Sequence, residues 1–252
     1  MPQNCHDLIE LLHVAARALP GLTGEIGPAG NDQLQCGSTG NQARVAALHA
    51  HWQHAYPEAG AHYWSARSWS LLVWQPVYLS LLAVHLCARA PSLAQMGQSM
   101  RDGFICGFRL PEHRPCRGTQ SDLIACASSH LRRFVDDQLT EFNGVASIHP
   151  KMARLLVADC LRAALLLVQP RASVTNAALH EIEARWLEAM ALPGGGSLVE
   201  IGLSDSRQCL ALGRKVCCQH FRRADGEPCS SCPKLKPEER TRRLRDELIA
   251  GC

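Results

Sequence analysis

Apolar residues recur at three- and four-residue spacing through most of the chain, and that period predicts a mainly helical protein. The first such stretch runs from Leu8 to Leu19 and stops at Pro20, after which residues 21–40, rich in Gly, Asn and Gln, read as a long loop. A second helix is expected from Asn41 to about Tyr56, stopped by Pro57 and Gly60. A Trp-rich third follows from Ser65 to Arg89, with Pro76 as its point of kink and Pro91 as its end. Further on, helices are expected over Leu123 to Phe142, capped by Ser121 or Asp122, over Pro150 to Val168 and over Asn176 to Met190. Lys236-Pro237-Glu238-Glu239 opens a last, charged one.

The pattern changes between Leu93 and Leu110. There Arg101-Asp102-Gly103 separates short segments that contain Phe104, Ile105 and Phe108, which predicts a hairpin with an Asp-Gly turn. Leu198 to Gly202 reads as another short strand. Pro193-Gly194-Gly195-Gly196 is the clearest linker and divides residues 1–192, mainly helical, from residues 197–252. The expected fold class is mainly α with a small antiparallel β element (α+β) and an irregular C-terminal segment. The apolar run from Leu71 to Ala88 is interrupted by Gln75, Pro76, Ser80 and His85, so a buried helix is expected there and no transmembrane segment.

Composition narrows the function classes. The chain has 252 residues, 19% of them charged, and a formal net charge of only +3, which provides no broad basic field for nucleic acid. Thirteen cysteines are many, yet the first residues lack the charged and apolar regions of a secretory signal, so a reducing, cytoplasmic setting is expected. Nine of them (Cys5, Cys36, Cys87, Cys106, Cys116, Cys126, Cys160, Cys209 and Cys252) are scattered without metal-ligand spacing and read as structural or incidental.

The remaining four, Cys217, Cys218, Cys229 and Cys232, form a C-C-x10-C-x2-C pattern of soft donors suited to an iron-sulfur cluster or zinc. Zinc sites usually pair two Cys-x2-4-Cys turns, and the adjacent Cys217-Cys218 does not follow that rule. Side chains of neighbouring residues in extended chain point to opposite sides, so two adjacent thiolates more naturally serve different atoms, as a two-iron centre permits. Cys229 and Cys232 suit a turn framed by Pro228 and Pro233. A 2Fe-2S cluster therefore ranks first, structural zinc second and a redox disulfide third. His220 reads as a neighbour of the centre. Gly194 to Gly196 lacks the Lys-Ser/Thr of a phosphate loop, and no pair of groups suggests a hydrolytic dyad.

The same cysteine pattern resembles the ending of the bacterial ferric siderophore reductases of the FhuF-like family, whose four cysteines hold an unusual 2Fe-2S cluster. A second stretch, from His62-Tyr63-Trp64 through Arg67-Ser68-Trp69 to Trp74-Gln75-Pro76 and Tyr78-Leu79, resembles the N-terminal half of that family. The likeness covers the chain from about residue 45 onward. It implies a siderophore-binding part in residues 1–192 and a cluster segment in residues 197–252, with one-electron reduction of a ferric siderophore releasing Fe(II) in the cytoplasm. The implied electron donor is a ferredoxin or a flavin reductase. Peripheral membrane contact stays open.

A pocket for such a substrate wants flat apolar walls and cations against the iron-binding oxygens, which makes Arg67, Trp69 and Trp64 the candidate substrate contacts. Arg214, Lys215, Arg222, Arg223 and Lys234 would raise the cluster potential and dock an acidic donor. Two other readings remain. One is a zinc-stabilised interaction module, and the other is an iron-sulfur redox sensor that uses Arg240 to Arg245 as its contact.

Overall fold

In a computed structural model, residues 3–192, 194–203 and 207–251 are described; Pro193 of the expected linker and Cys252 lie outside them. The helices are α1 (Gln3–Ala18), α2 (Asn41–Ala55), α3 (Ala61–Cys87), α4 (Gln120–Asn143), α5 (Pro150–Arg171), α6 (Asn176–Ala189) and α7 (Pro237–Ala250). The strands are β1 (Gly24–Ile26), β2 (Gly97–Arg101), β3 (Phe104–Leu110), β4 (Ser197–Gly202) and β5 (Gln208–Gly213). The expected mainly helical class with small sheets is the one observed.

Helix α3 is the axis of the molecule. It packs against α1, α2, α4 and α5 and buries Trp69, Leu72, Val73, Val77, Leu79 and Leu81 completely. The helix continues through Pro76, where the Ser80 hydroxyl donates to the Pro76 carbonyl at 2.7 Å. Among the described residues α3 is the one helix long and apolar enough to cross a membrane, and its most apolar window is 67% buried against its neighbours. Its apolarity is that of a core helix surrounded by others.

Turn chemistry sets the ends of several elements. Asp102 and Gly103 join β2 to β3 with φ of 50° and 73°, the two left-handed residues that a two-residue hairpin turn requires. The cap of α4 lies earlier than expected, at Thr119. Its hydroxyl accepts from the Asp122 amide at 3.3 Å while the Asp122 carboxylate accepts from the Thr119 amide at 3.0 Å, a reciprocal capping box.

Two strands depart from the sequence expectation. Strand β1 lies inside the segment read as loop and pairs in parallel with β3; at Gly24 the ring of Phe108 fills the space a Cβ would need, so glycine permits the approach. Strand β5 pairs antiparallel with β4 and extends order to Gly213, just before the cysteine segment. Both are short, and partners distant in sequence fix them, so local periodicity carries little sign of them.

One pair among the scattered cysteines is covalent: Cys116 and Cys126 form a disulfide that ties the Pro111–Thr119 loop to the first turns of α4. Beneath the junction of α5, α6 and β4 lies a buried ionic group. Arg162, 1% exposed, donates from Nε to Glu183 Oε1 at 2.5 Å, and its Nη1 is 3.7 Å from Asp159 Oδ1.

Candidate metal centre and substrate cleft

The cysteine segment leaves β5 at Gly213 and is shaped by a few local restraints. Gln219 takes a left-handed φ of 61°, which turns the chain sharply after Cys218 into a single 3-10 turn over His220–Arg222. Gly226 closes the next bend, where the His220 carbonyl occupies the space of any Cβ. The Cys232 amide then donates to the Cys229 carbonyl at 2.9 Å, so the C-terminal pair sits on the expected turn.

This path sends the two adjacent thiols to different partners. Cys217 interacts with Cys232, and Cys218 with Cys229. Cys232 is buried, and the other three are half-buried. Four soft sulfur donors in two pairs, with Cys217 and Cys218 supplying one thiol to each, suit a centre of two irons. Among the described residues no three His, Cys, Asp or Glu side chains stand together as a ready-formed metal site.

The Cys218–Cys229 pair is electrostatically uneven. A hydrogen bond from Cys229 draws the Cys218 thiol down to about 5, helped by the His220 backbone and the Arg214 charge. Cys229 moves upward for the reciprocal reason, since it holds the proton that the pair shares. The Cys217 thiol is raised, chiefly by burial.

A clasp fastens the loop between the pairs to the helical body. The Arg223 guanidinium lies 3.9 Å from the centre of the Tyr56 ring, donates to the Tyr56 hydroxyl at 2.5 Å and pairs with Asp225 at the same distance. The Ala224 amide donates to Glu58 Oε1 at 2.8 Å. On the other side, Arg243 of α7 donates to the Pro228 carbonyl at 2.9 Å, and Ser230 donates to Glu247.

Beside the cysteines opens a cleft of about 600 Å³ whose wall includes Cys218, Cys229 and His220. Opposite them, α3 contributes Tyr63, Arg67, Ser70, Trp74 and Tyr78, residues that recur every three or four positions and form one stripe. Helix α5 adds Leu156, Asp159, Cys160 and Ala163 by the same rule, Phe104 stands at the start of β3, and Arg214 enters from the end of β5.

The three candidate substrate contacts from the aromatic stretch are separated by this geometry. Arg67 lies on the cleft stripe, with its guanidinium 4.6 Å from the Trp52 ring centre and 5.4 Å from that of Phe104. Trp69 is fully buried, donates from its indole to the Ala153 carbonyl at 2.9 Å and packs on Phe142, so none of its surface reaches a ligand. Trp64 is half-buried, donates to the Tyr56 carbonyl at 2.8 Å and lies outside the cleft wall. At about 100° per residue Trp69 sits about 200° from Arg67, on the far side of the helix, whereas Trp74 and Tyr78 return to the Arg67 face.

Sequence reasoning had no place for Phe104 or Asp159 in a site. Burial raises the Asp159 carboxyl to about 6, against the pull of Arg214 and Arg162. Its sequence signal was a carboxylate amid the apolar run Leu155-Leu156-Val157-Ala158-Asp159. Of the expected docking cations, Arg223 is committed to the clasp, Arg214 lines the cleft, and Lys234 lies 5.0 Å from the Phe221 ring centre; Lys215 and Arg222 are exposed. The basic tail is engaged within the chain: Arg242 pairs with Glu239 and Asp246, Arg243 with Glu239, and Arg245 donates to the Gly202 carbonyl.

Residues 214–234, which contain all four cysteines, match the family model described as the FhuF 2Fe-2S C-terminal domain. The chain carries this domain, its cofactor is a 2Fe-2S cluster, and it is an iron-sulfur protein consistent with the FhuF-like siderophore reductase family.

Proposed function

We propose that this protein is a cytoplasmic ferric siderophore reductase in which Cys217, Cys218, Cys229 and Cys232 hold the cluster and the adjoining cleft receives the ferric chelate. The supporting observation is the contiguity of the two: Cys218 and Cys229 are part of the cleft wall. Residues 1–192 supply most of the substrate side, and residues 197–252 supply the cysteines.

When bound, the 2Fe-2S cluster supplies a one-electron carrier. The chain's own residues do the rest. Arg67 and Arg214 present positive charge to the oxygens around the iron, Tyr78 and Trp74 provide apolar wall, and the Arg223 clasp holds the loop between the cysteine pairs against the body. Fe(III) bound by hard oxygens is the substrate, and its one-electron reduction gives Fe(II), which those oxygens hold far less tightly. The exposed Lys215 and Arg222 offer docking charge to an acidic donor such as a ferredoxin, with a flavin reductase as the other donor class.

Anaerobically purified protein is expected to show visible absorption that bleaches with dithionite and about two irons per chain. Supplied with excess reductant and a ferric siderophore, it should release Fe(II) to a ferrous-specific chelator over many turnovers. A cluster that bleaches without any turnover would favour the redox-sensor reading.

A further inference from the structure

We infer that a second cavity, bordered by the same cysteine turn as the cleft, is where electrons enter, and that it takes a small, freely diffusing reduced flavin; the inference rests on the reductase reading above. This cavity, of about 680 Å³, lies where α5, β5 and α7 meet. Its wall includes Ser230 and Ser231, the two residues inside the Cys229–Cys232 turn, and the Ser231 hydroxyl lies 3.9 Å from the Cys229 sulfur. Cys229 itself borders the cleft, and the two openings share only Ala163 and Arg214. A carrier held by these cysteines thus has two separate cavities beside it. With the ferric chelate seated in one, a donor in the other need not wait for it to leave.

The lining indicates what fits. Leu166, Val174, Leu210, Leu212, Leu244 and Leu248 form apolar walls, and a void between such side chains forfeits their packing contacts unless a ligand fills it. Carboxamides stand at one end. Gln169 donates to the Asn176 side-chain oxygen at 2.8 Å, and Asn176 donates to the Gln208 carbonyl at 3.0 Å, which fixes the Gln169 amide in place. The Gln169 side-chain oxygen and the Gln208 side-chain amide have no hydrogen-bond partner among the described residues. The volume, the apolar walls and the few placed polar groups are those of a small-molecule site.

Chemistry selects the ligand. A 2Fe-2S centre takes one electron at a time, which excludes a nicotinamide as direct donor, since it gives its electrons as a hydride pair; a flavin can give them singly. An isoalloxazine ring has an apolar benzenoid end and a pyrimidine end with two carbonyl acceptors around one N–H donor. Leucine walls receive the first, and carboxamides, which both donate and accept, receive the second. A dihydroflavin seated there gives up two electrons in two single steps through the cysteine-held centre. Two Fe(III) chelates become Fe(II), the flavin leaves oxidised, and its two protons go to water or to the freed chelator oxygens.

The test is anaerobic stopped-flow mixing of cluster-loaded protein with photoreduced flavin mononucleotide, read as cluster bleaching at wavelengths beyond the flavin bands. The rate should rise with flavin concentration to a plateau, the mark of a donor that binds before it reacts. Val174→Trp, which fills the cavity, and Gln169→Leu, which removes the fixed amide, should each raise the half-saturating flavin concentration about tenfold. Both should keep the visible spectrum, and with dithionite as reductant both should release Fe(II) from a ferric siderophore at the wild-type rate, because neither side chain borders the cleft. A rate that stays linear in flavin, or half-saturation unmoved in both variants, would overturn the inference and leave the reductase reading standing. Reduced ferredoxin and reduced flavodoxin should bleach wild type and Val174→Trp equally fast; a tenfold loss with either would make the cavity a protein-docking face and overturn the assignment to free flavin. Failure of dithionite-driven Fe(II) release in the wild type would overturn the reductase reading, and the donor role with it.

Discussion

The helical body and the cysteine segment are held together by different means. In the body, α3 and α5 lock through side chains that are wholly buried, and even its charges are internal, as with Arg162 between Glu183 and Asp159. Between Arg214 and Leu235 the chain contributes only Ser231 and Cys232 to the buried set; a single 3-10 turn, two bends and clasps at Arg223 and Arg243 fix its path. Burial of apolar area stabilises the first region cooperatively, while the second depends on a few polar contacts and on what its thiols bind. A fold of this kind keeps its cleft wall rigid and leaves its cysteine segment reliant on its cofactor.

The sharpest way to separate the regions is at a thiol. Cys229→Ser should abolish or severely damage the visible absorption while leaving helical circular dichroism near the wild-type value, and Cys160→Ser, on α5 in the cleft wall, should keep the cluster. A normal cluster in the first variant would sink the ligand assignment. The converse break is inside the body: Glu183→Ala leaves the Arg162 charge buried with only Asp159 at 3.7 Å, and urea unfolding should report a loss of about 3 kcal/mol or more.

Acidification should act on the body first. His85 is held to about 4 by burial, and its Nε2 accepts from the Trp186 indole at 2.8 Å. The folded value lies below the ordinary 6.5, so this stability is present above pH 6.5 and is lost as pH falls toward 4, by about 3 kcal/mol in all. Urea midpoints of wild type and His85→Gln across that range should converge as pH drops; parallel curves would remove His85 as the cause. The smallest effect belongs to the clasp. Arg223→Gln deletes a stacked cation and a hydrogen bond worth about 1–2 kcal/mol together, so iron should escape to an external chelator about tenfold faster while the unfolding of the body stays unchanged.

How much of this was legible in the sequence follows the same division. The Asp102-Gly103 turn and the helices carry their own local chemistry, and the four cysteines announce soft ligation by type and spacing. The cleft was half legible. Arg67, Trp74 and Tyr78 share a helical stripe that counting by threes and fours finds, whereas choosing Trp64 and Trp69 by residue type alone left that stripe, and Trp69 lies in the core. Phe104 could not be placed, because its role depends on α2 and α3 meeting the start of β3, and such meetings leave no periodicity. Strands β1 and β5 were hidden for the same reason.

The nested pairing of Cys217 with Cys232 and of Cys218 with Cys229 would make a cluster held by all four a staple across the loop between them. Arg222 is exposed in that loop, so a protease could nick the chain there without touching a sulfur. Each sulfur pair would then span the cut, one member on either fragment, and the two pieces should travel together on a sizing column while the iron remains. Stripping the iron would leave the pieces joined only by the Arg223 clasp and by the packing of α7 on β4, so a loosening of the fragments would report cluster loss without any need of colour.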